Sequence, residues 1–288
     1  MNTIPTVDLS DFVSGDPVRK ERFVQAIGKA YQEVGFVAVQ NHGIDPQLVA
    51  DFYSTTEQFF ALPEEIKRKY EIEGLAGQRG FTSFGKEHAK HSNAGDLKEF
   101  WQIGQTVVDG EVMKEYYPDN VHVTELPRFM ELGDRLYKNF ETSGSNLLSA
   151  LAIFVGLPED YFNDKIHNGN SILRAIYYPP ITEEPKSAIR AEQHEDINLI
   201  TLLVGASADG LEVMDTEGNW VPVKTAPEEI VVNVGDMVQR FTNNMLRSTT
   251  HRVVNPPKEK WHTPFQHSFL PASKIRHGPE LSGFLCYG

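Results

Sequence analysis

Cysteine is almost absent from this chain: the only one, Cys286, is the third residue from the end of 288. A single cysteine forms no internal disulfide, so the sequence excludes a disulfide-stabilised secreted scaffold and favours a reducing compartment. The start, MNTIPTVDLSDF, lacks the basic-then-apolar order of a signal peptide, and no apolar run approaches the roughly 18 residues of a membrane span. We therefore expect a cytoplasmic protein without a membrane partner.

Positive charge is also scarce. The chain has 27 Lys and Arg against 40 Asp and Glu, a formal net charge of −13. Such a chain repels a phosphate backbone, so nucleic acid is excluded as a natural partner. A small-molecule substrate is the remaining expectation, and the composition leaves the oligomeric state open.

The apolar pattern changes between the two halves of the chain. Helical spacing dominates up to about residue 157, with a long helix expected from about Pro127 to Leu157, whereas residues 74–104 show little periodicity and predict a long loop. The second half is built of short alternating segments separated by turns, which is typical of a sandwich or barrel. The sequence therefore predicts a mainly β fold with flanking helices.

Two short segments carry side chains that suit a metal ion. His194 and Asp196 lie two positions apart at the expected start of an apolar strand, so both should leave the same face. His251 follows on a strand that we expect to return from a hairpin near residues 243 to 244. Two imidazoles and one carboxylate form the facial triad that leaves positions on a ferrous ion open. They also suit a catalytic zinc ion, and the alternative without metal is a solvated His194 and a core His251.

Nine segments in a fixed order carry a family resemblance: IPTVDLS, GFVAVQNHGI, FFALPEEIKRKY, GFTSFGKEHA, SILRAIYYPP, QHEDINLITLL, GLEVMDTEGNWVPV, VVNVGDMVQRFTNN and RSTTHRVVNPP. Over positions 4 to 264 the chain resembles the iron(II)- and 2-oxoglutarate-dependent dioxygenases of the isopenicillin N synthase-like family. The resemblance implies a distorted jelly roll (double-stranded β-helix). It also implies His194, Asp196 and His251 as metal ligands, with Fe(II) as cofactor and 2-oxoglutarate and O2 as cosubstrates.

The same resemblance divides the chain and assigns further residues. It implies an N-terminal dioxygenase region of helices and a loop cap at 1–125, a jelly-roll core at 126–264 and an atypical tail at 265–288. Tyr178 matches the family tyrosine that helps to bind 2-oxoglutarate, with aromatic packing as its alternative. By resemblance the mouth of the substrate cavity is lined by Arg79, Phe81, Phe100 and Trp101; ordinary core packing is equally open for the three aromatic residues.

One family feature is missing. After NPPKEKWHTP the family continues with a segment such as RFSIPFFLHP, whose Arg-x-Ser binds the distal carboxylate of 2-oxoglutarate, whereas this chain has FQHSFLPAS. The codons CGT TTC AGC ATT CCT TTC TTC CTG CAT CC encode the family segment. Read from their third base, they give TTT CAG CAT TCC TTT CTT CCT GCA TCC, which encodes Phe265 to Ser273. We therefore interpret residues 265–288 as out of frame and expect the last core strand to be altered or lost.

These observations predict an intracellular oxidoreductase that uses Fe(II), O2 and 2-oxoglutarate to hydroxylate, desaturate or otherwise oxidise a small organic molecule, releasing succinate and CO2. Without the arginine, weak 2-oxoglutarate binding is expected, since neither Arg174 nor His267 is a convincing replacement. The alternative is a catalytically silent jelly-roll protein that binds a metal or a small molecule, and a third hypothesis is zinc-dependent hydrolysis.

Overall fold

The computed structural model describes residues 4–75, 77–86, 96–107, 117–182, 184, 190–205, 210–261 and 265–269, the last five by their backbone alone. The helices are α1 Leu9–Phe12, α2 Pro17–Glu33, α3 Pro46–Phe60, α4 Glu64–Lys67, α5 Arg128–Phe154, α6 Asn163–Ile166 and α7 Asp236–Phe241. The strands are β1 Thr6–Asp8, β2 Phe36–Gln40, β3 Gly80–Thr82, β4 Glu99–Gly104, β5 Ile172–Tyr178, β6 Ala191–His194, β7 Ile200–Leu203, β8 Leu211–Met214, β9 Trp220–Pro222, β10 Ile230–Val234, β11 His251–Val253 and β12 Phe265–Phe269.

The long helices begin where the sequence provides a cap. Asp16 and Asp45 accept hydrogen bonds from backbone N–H groups in the first turns of α2 and α3, and each is followed by a proline that needs no such partner. The 27-residue α5 packs against both α2 and α3. It lies within the predicted 127–157 and buries apolar residues along its whole length.

Strand pairing forms three four-stranded sheets, in the orders β1-β2-β10-β7, β6-β11-β8-β9 and β12-β5-β4-β3. The first sheet is buried on both faces. Alternate residues of β10 pack either in the large cluster shared with the helices or in the smaller cluster shared with β8. The first two sheets therefore face each other and helices cover the outside, which confirms a mainly β core with flanking helices.

The expectation of a long loop at residues 74–104 was wrong for β3 and β4. These two strands pair with each other, and β4 also pairs with β5. All six residues of β4 are buried, including Glu99 and Gln102. A strand buried on both faces shows no alternation of polar and apolar residues, so its sequence gives no period of two. Polar residues inside it obscured the signal further.

Two expectations around the predicted metal ligands also need correction. His194 ends β6, and Asp196 lies in the turn before β7, so the two residues do not share one strand. In place of a hairpin near residues 243 to 244, the short helix α7 follows β10, and Asn243 and Asn244 have positive φ in the turn after it. Short polar side chains tolerate that conformation, which ends the helix and redirects the chain toward β11.

A strand does follow the proline turn at the end of the core. The backbone of β12 pairs antiparallel with β5, with Phe265 opposite Tyr178. Whether the side chains of this strand are the result of a frame change stays a prediction, and residues 270–288 lie outside the described part of the chain. Within the described ranges, none of the helices combines the length and apolarity needed to cross a membrane.

Candidate metal centre

The three predicted metal ligands meet where the first two sheets face each other. His194 at the end of β6 and His251 at the start of β11 are directly opposite each other in the β6–β11 pair, with ring centroids 4.4 Å apart. Oδ1 of Asp196 lies 3.7 Å from Nε2 of His194 and 3.8 Å from Nε2 of His251. Three ligand atoms from two strands and a turn therefore converge on one point.

The orientation of both rings leaves Nε2 available. Nδ1 of His194 lies 2.6 Å from the carbonyl oxygen of Glu192, and Nδ1 of His251 lies 3.1 Å from that of Thr249. A carbonyl only accepts, so each ring donates from Nδ1 and keeps its lone pair on Nε2. Phe36 packs edge-on against the ring of His251 at 5.3 Å and limits its rotation.

The carboxylate of Asp196 is held from the first sheet. Thr201 on β7 and Asn233 on β10 are opposite each other in the strand register, and both donate to Oδ2, at 2.6 and 2.9 Å. Oδ1 is thereby left facing the two imidazoles. Neither donor was predicted from the sequence, because Thr201 and Asn233 stand inside otherwise apolar strands; a polar residue in such a run is the available signal.

The electrostatics keep this group of side chains ready to bind a cation. Burial alone would raise the pKa of Asp196, but the imidazoles of His251 and His194 and the two hydrogen bonds lower it to about 2. Burial and the adjacent His251 lower the pKa of His194 to about 4, although 37% of its side chain remains exposed. The carboxylate is therefore ionised and His194 neutral at pH 7, the protonation states that metal ligation needs.

The separations from Oδ1 of Asp196 fit a single divalent ion, and the three ligand atoms all lie within 4.8 Å of one another. With bonds of roughly 2.0–2.2 Å, two ligands of one ion are separated by at most about 4.4 Å, and both separations from Oδ1 are smaller. Among the described residues, this is the only group of three or more His, Cys, Asp and Glu side chains close enough to hold an ion. Two nitrogens and one carboxylate oxygen suit Fe(II) and also suit zinc.

Tyr178 lies on a neighbouring wall at the end of β5. It is 2% exposed and packs with Phe100 and Ile176 in a cluster separate from the main core. The guanidinium of Arg190, directly before β6, lies 5.2 Å from the centre of the Tyr178 ring. This contact brings the end of β5 next to the strand that carries His194.

The four residues predicted for the cavity mouth do not share one environment. Phe100 is on the Tyr178 face, whereas Trp101 and Phe81 pack around Phe59 in the main core. Arg79 is fully buried, and its guanidinium lies 4.6 Å from the ring of Tyr117 and against Gly104 at the opposite end of β4.

A cation that sequence reasoning missed, Lys98, lies close enough to the triad to act on His194. Lys98 immediately precedes β4, forms a 2.9 Å ion pair with Asp96, and is 8% exposed. Its charge acts to lower the pKa of His194 further, after the larger effects of burial and His251. Its proximity to the triad depends on the pairing of β4 with β5, which the sequence did not indicate.

Two family models match the chain. Residues 4–125 match a model described as the non-haem dioxygenase in morphine synthesis N-terminal region, and residues 169–268 match the 2OG-Fe(II) oxygenase superfamily. The second match spans the triad and Tyr178. The chain also aligns with a proline hydroxylase of Petromyces alliaceus at 34% identity, over 88% of this chain and 81% of that protein. A 2-oxoglutarate-dependent dioxygenase of Aspergillus rugulosus is 32% identical over the same shares.

Solved structures give the same result. A Caulobacter crescentus protein of the 2OG-Fe(II) oxygenase family superposes with a TM-score of 0.85 and 37% identity, over 96% of this chain and 87% of that one. A full-length Neurospora crassa protein, solved in complex with alpha-KG and thymine, gives 0.82 and 28%, over 95% and 86%. These neighbours confirm the predicted jelly-roll core.

Proposed function

We propose, on the premise that this chain belongs to the 2OG-Fe(II) oxygenase superfamily, that His194, Asp196 and His251 hold its iron. The observation that supports this assignment is the approach of Oδ1 of Asp196 to both Nε2 atoms, with the other ring nitrogens and Oδ2 already engaged. Ligands fixed in this way need little reorganisation when the metal binds.

The family membership establishes the activity class. The protein is an oxidoreductase, a 2-oxoglutarate-dependent dioxygenase that uses Fe(II), 2-oxoglutarate and O2. When bound, the iron supplies the redox chemistry in which O2 and 2-oxoglutarate are consumed and succinate and CO2 are released. The catalytically silent alternative is not favoured, and no observation supports zinc-dependent hydrolysis over this chemistry.

The side chains of this chain have separate tasks in that reaction. Asp196 supplies one negative charge to a divalent ion and stays ionised because its pKa is held near 2. Thr201 and Asn233 hold Oδ2 so that Oδ1 points to the metal position. Phe36 and the surrounding apolar cluster exclude water from one side of His251.

We assign Tyr178 to the cosubstrate and Phe100 to the substrate side of the same wall. Both are buried in the cluster that they form with Ile176, and Arg190 links Tyr178 to the strand that carries His194. A small organic molecule is the proposed substrate, since the Neurospora protein was solved in complex with one, thymine. Arg79, Phe81 and Trp101 as cavity residues, the domain boundaries, the cytoplasmic location and the absence of nucleic-acid partners stay predictions.

Turnover of 2-oxoglutarate tests the proposal. The purified chain, supplied with Fe(II) and air, should form succinate from 2-oxoglutarate, and a panel of small organic acids, amino acids and nucleobases should contain compounds that accelerate it. His251→Ala should abolish succinate formation, whereas His42→Ala should leave it unchanged. If the chain binds one iron ion but forms no succinate under any condition, the catalytically silent alternative is correct. If it catalyses a hydrolysis that needs no oxygen, the zinc-dependent hypothesis is favoured.

A further inference from the structure

Three cationic side chains lie around the apolar wall formed by Tyr178, Phe100 and Ile176. Arg190 lies over Tyr178, Arg174 lies over Phe100 with its guanidinium 4.3 Å from the ring centre, and Lys98 precedes β4. Phe100 pairs directly with Ile176, so continuing the register by two residues places Lys98 beside Tyr178 on the same face. A wall of this kind suits an anion with an apolar stem.

Arg174 is the least suitable of the three for a ligand at the triad. It lies four residues before Tyr178 on β5, opposite Gln102, which corresponds to about 13 Å along the strand. Its guanidinium stacks on Phe100, away from the end of β5.

Lys98 is better placed but already neutralised. Its ammonium is 2.9 Å from a carboxylate oxygen of Asp96, and both side chains are less than a tenth exposed. Moving Lys98 to another anion would leave the buried Asp96 carboxylate unpaired, which is costly.

We propose that Arg190 binds the distal carboxylate of 2-oxoglutarate, the task that the family gives to the arginine missing after His251. Arg190 is 3% exposed and lies against the tyrosine already assigned to the cosubstrate. It directly precedes β6, the strand that ends at His194. A guanidinium can meet a carboxylate with two parallel hydrogen bonds, which an ammonium cannot.

The location of the original anchor supports this substitution. Phe265, which stands where the family arginine would be, is opposite Tyr178 in the β12–β5 pair. The position at which the resemblance implies an arginine, and Arg190 before β6, are therefore both next to the same tyrosine. The inference rests on the proposed function, because it places 2-oxoglutarate between the triad and Tyr178.

A pair of ligands separates this role from a structural one. 2-Oxoglutarate and 2-oxopentanoate share the 2-oxo acid group and chain length, but the second has a methyl group in place of the distal carboxylate. Dissociation constants of both are measured by anaerobic calorimetry on the full chain loaded with Fe(II). Arg190→Gln should weaken 2-oxoglutarate by about 10- to 150-fold, the loss of a charge-assisted hydrogen bond. It should leave 2-oxopentanoate within about twofold of the parent.

Two further variants keep the test decisive. Arg190→Lys retains the charge and should fall between the parent and Arg190→Gln for 2-oxoglutarate, while Arg174→Gln should change neither ligand by more than about twofold. Equal weakening of both ligands by Arg190→Gln, or no weakening of either, would overturn the proposal.

Iron stoichiometry is measured first in every variant. If the parent chain fails to bind iron or 2-oxoglutarate, the proposed function is at fault. If the parent binds both and the preference for 2-oxoglutarate survives Arg190→Gln, only the role of Arg190 is refuted.

Discussion

The proposed metal end of the site, formed by His194, Asp196 and His251, and the proposed cosubstrate end, formed by Tyr178 and β12, are built differently. At the metal end each ligand is fixed by a second group: Thr201 and Asn233 for Asp196, and backbone carbonyls for the two histidines. At the proposed cosubstrate end the strand β12 is present, yet Phe265 and His267 stand where the family resemblance implies an arginine and a serine.

The difference separates two kinds of information in the sequence. Backbone pairing of a strand such as β12 uses N–H and C=O groups that nearly every residue provides, so it survives a change of side chains. Binding a carboxylate needs one particular side-chain chemistry, and that is lost when the residue changes. The fold therefore continues past the point where the family binding motif stops.

The largest expected effect is at the metal end. Replacing His251 by Ala removes one of three ligands, and we expect iron affinity to fall by at least about 100-fold, beyond the effect of removing a supporting residue. Metal content after dialysis and calorimetric titration with Fe(II) measure this change. His42→Ala is the matched control, because its ring contacts the backbone at Glu228 and Ile44 instead. Iron retention by His251→Ala would remove this residue from the ligand set.

The cosubstrate end can be tested in the opposite direction, by repair. Phe265→Arg together with His267→Ser restores Arg-x-Ser on β12, and we expect 2-oxoglutarate to bind about 10- to 150-fold more tightly in an Arg190→Gln background. Gln266→Arg, at the adjacent strand position, should give no comparable gain, since successive positions alternate between faces.

Sequencing the gene across the codons for Trp261 to Ser273 tests whether residues 265–288 are out of frame. A family-like frame with no insertion or deletion would refute that interpretation.

The supports of Asp196 should have a smaller but measurable effect. Thr201→Val keeps the side-chain shape and removes one hydrogen bond to Oδ2, so iron affinity should fall by about 10- to 100-fold. Asn233→Leu should act similarly. Thr142→Val on the exposed face of α5 is the control, and its affinity should match that of the parent. Unchanged iron binding in both supporting variants would mean that Asp196 is positioned by the backbone alone.

The sequence predicted the site better than the local structure around it. The residue types and order of His194, Asp196 and His251, together with the family segments, were sufficient to predict the mainly β core and a group of side chains that the structure brings together; their role as metal ligands stays a proposal. The placement of Asp196 in a turn, the helix α7 and the buried strand β4 were missed. Burial on both faces hides β4, and the positive φ of Asn243 and Asn244 shapes the turn after α7; the apolar pattern carries little information about either.

Thr201 and Asn233 show the same limit at the site itself. Each is a single polar residue in an apolar strand, and only the pairing of β7 with β10 shows that both reach the same carboxylate. The roles of Arg190 and Lys98 likewise depend on contacts between different strands of the fold, which the sequence does not show. A sequence can show that a polar residue is unusual in an apolar strand. Only the register of the paired strands shows that two such residues reach the same group.

The smallest effect concerns the metal-free protein in acid. Between about pH 4 and 6.5 the unfolded chain binds a proton at His194 that the folded chain does not, because burial and His251 lower the folded pKa to about 4. The free energy of unfolding is therefore not reduced by His194 above pH 6.5, and it decreases as the pH falls toward 4. Asp196 adds a further loss only below its ordinary 3.8, down to about 2. Urea unfolding at several pH values should show a shallower decline between pH 6.5 and 4 in His194→Asn than in the parent. Parallel curves would mean that His194 titrates normally in the fold, and the metal end would then be less preorganised than its hydrogen bonds indicate.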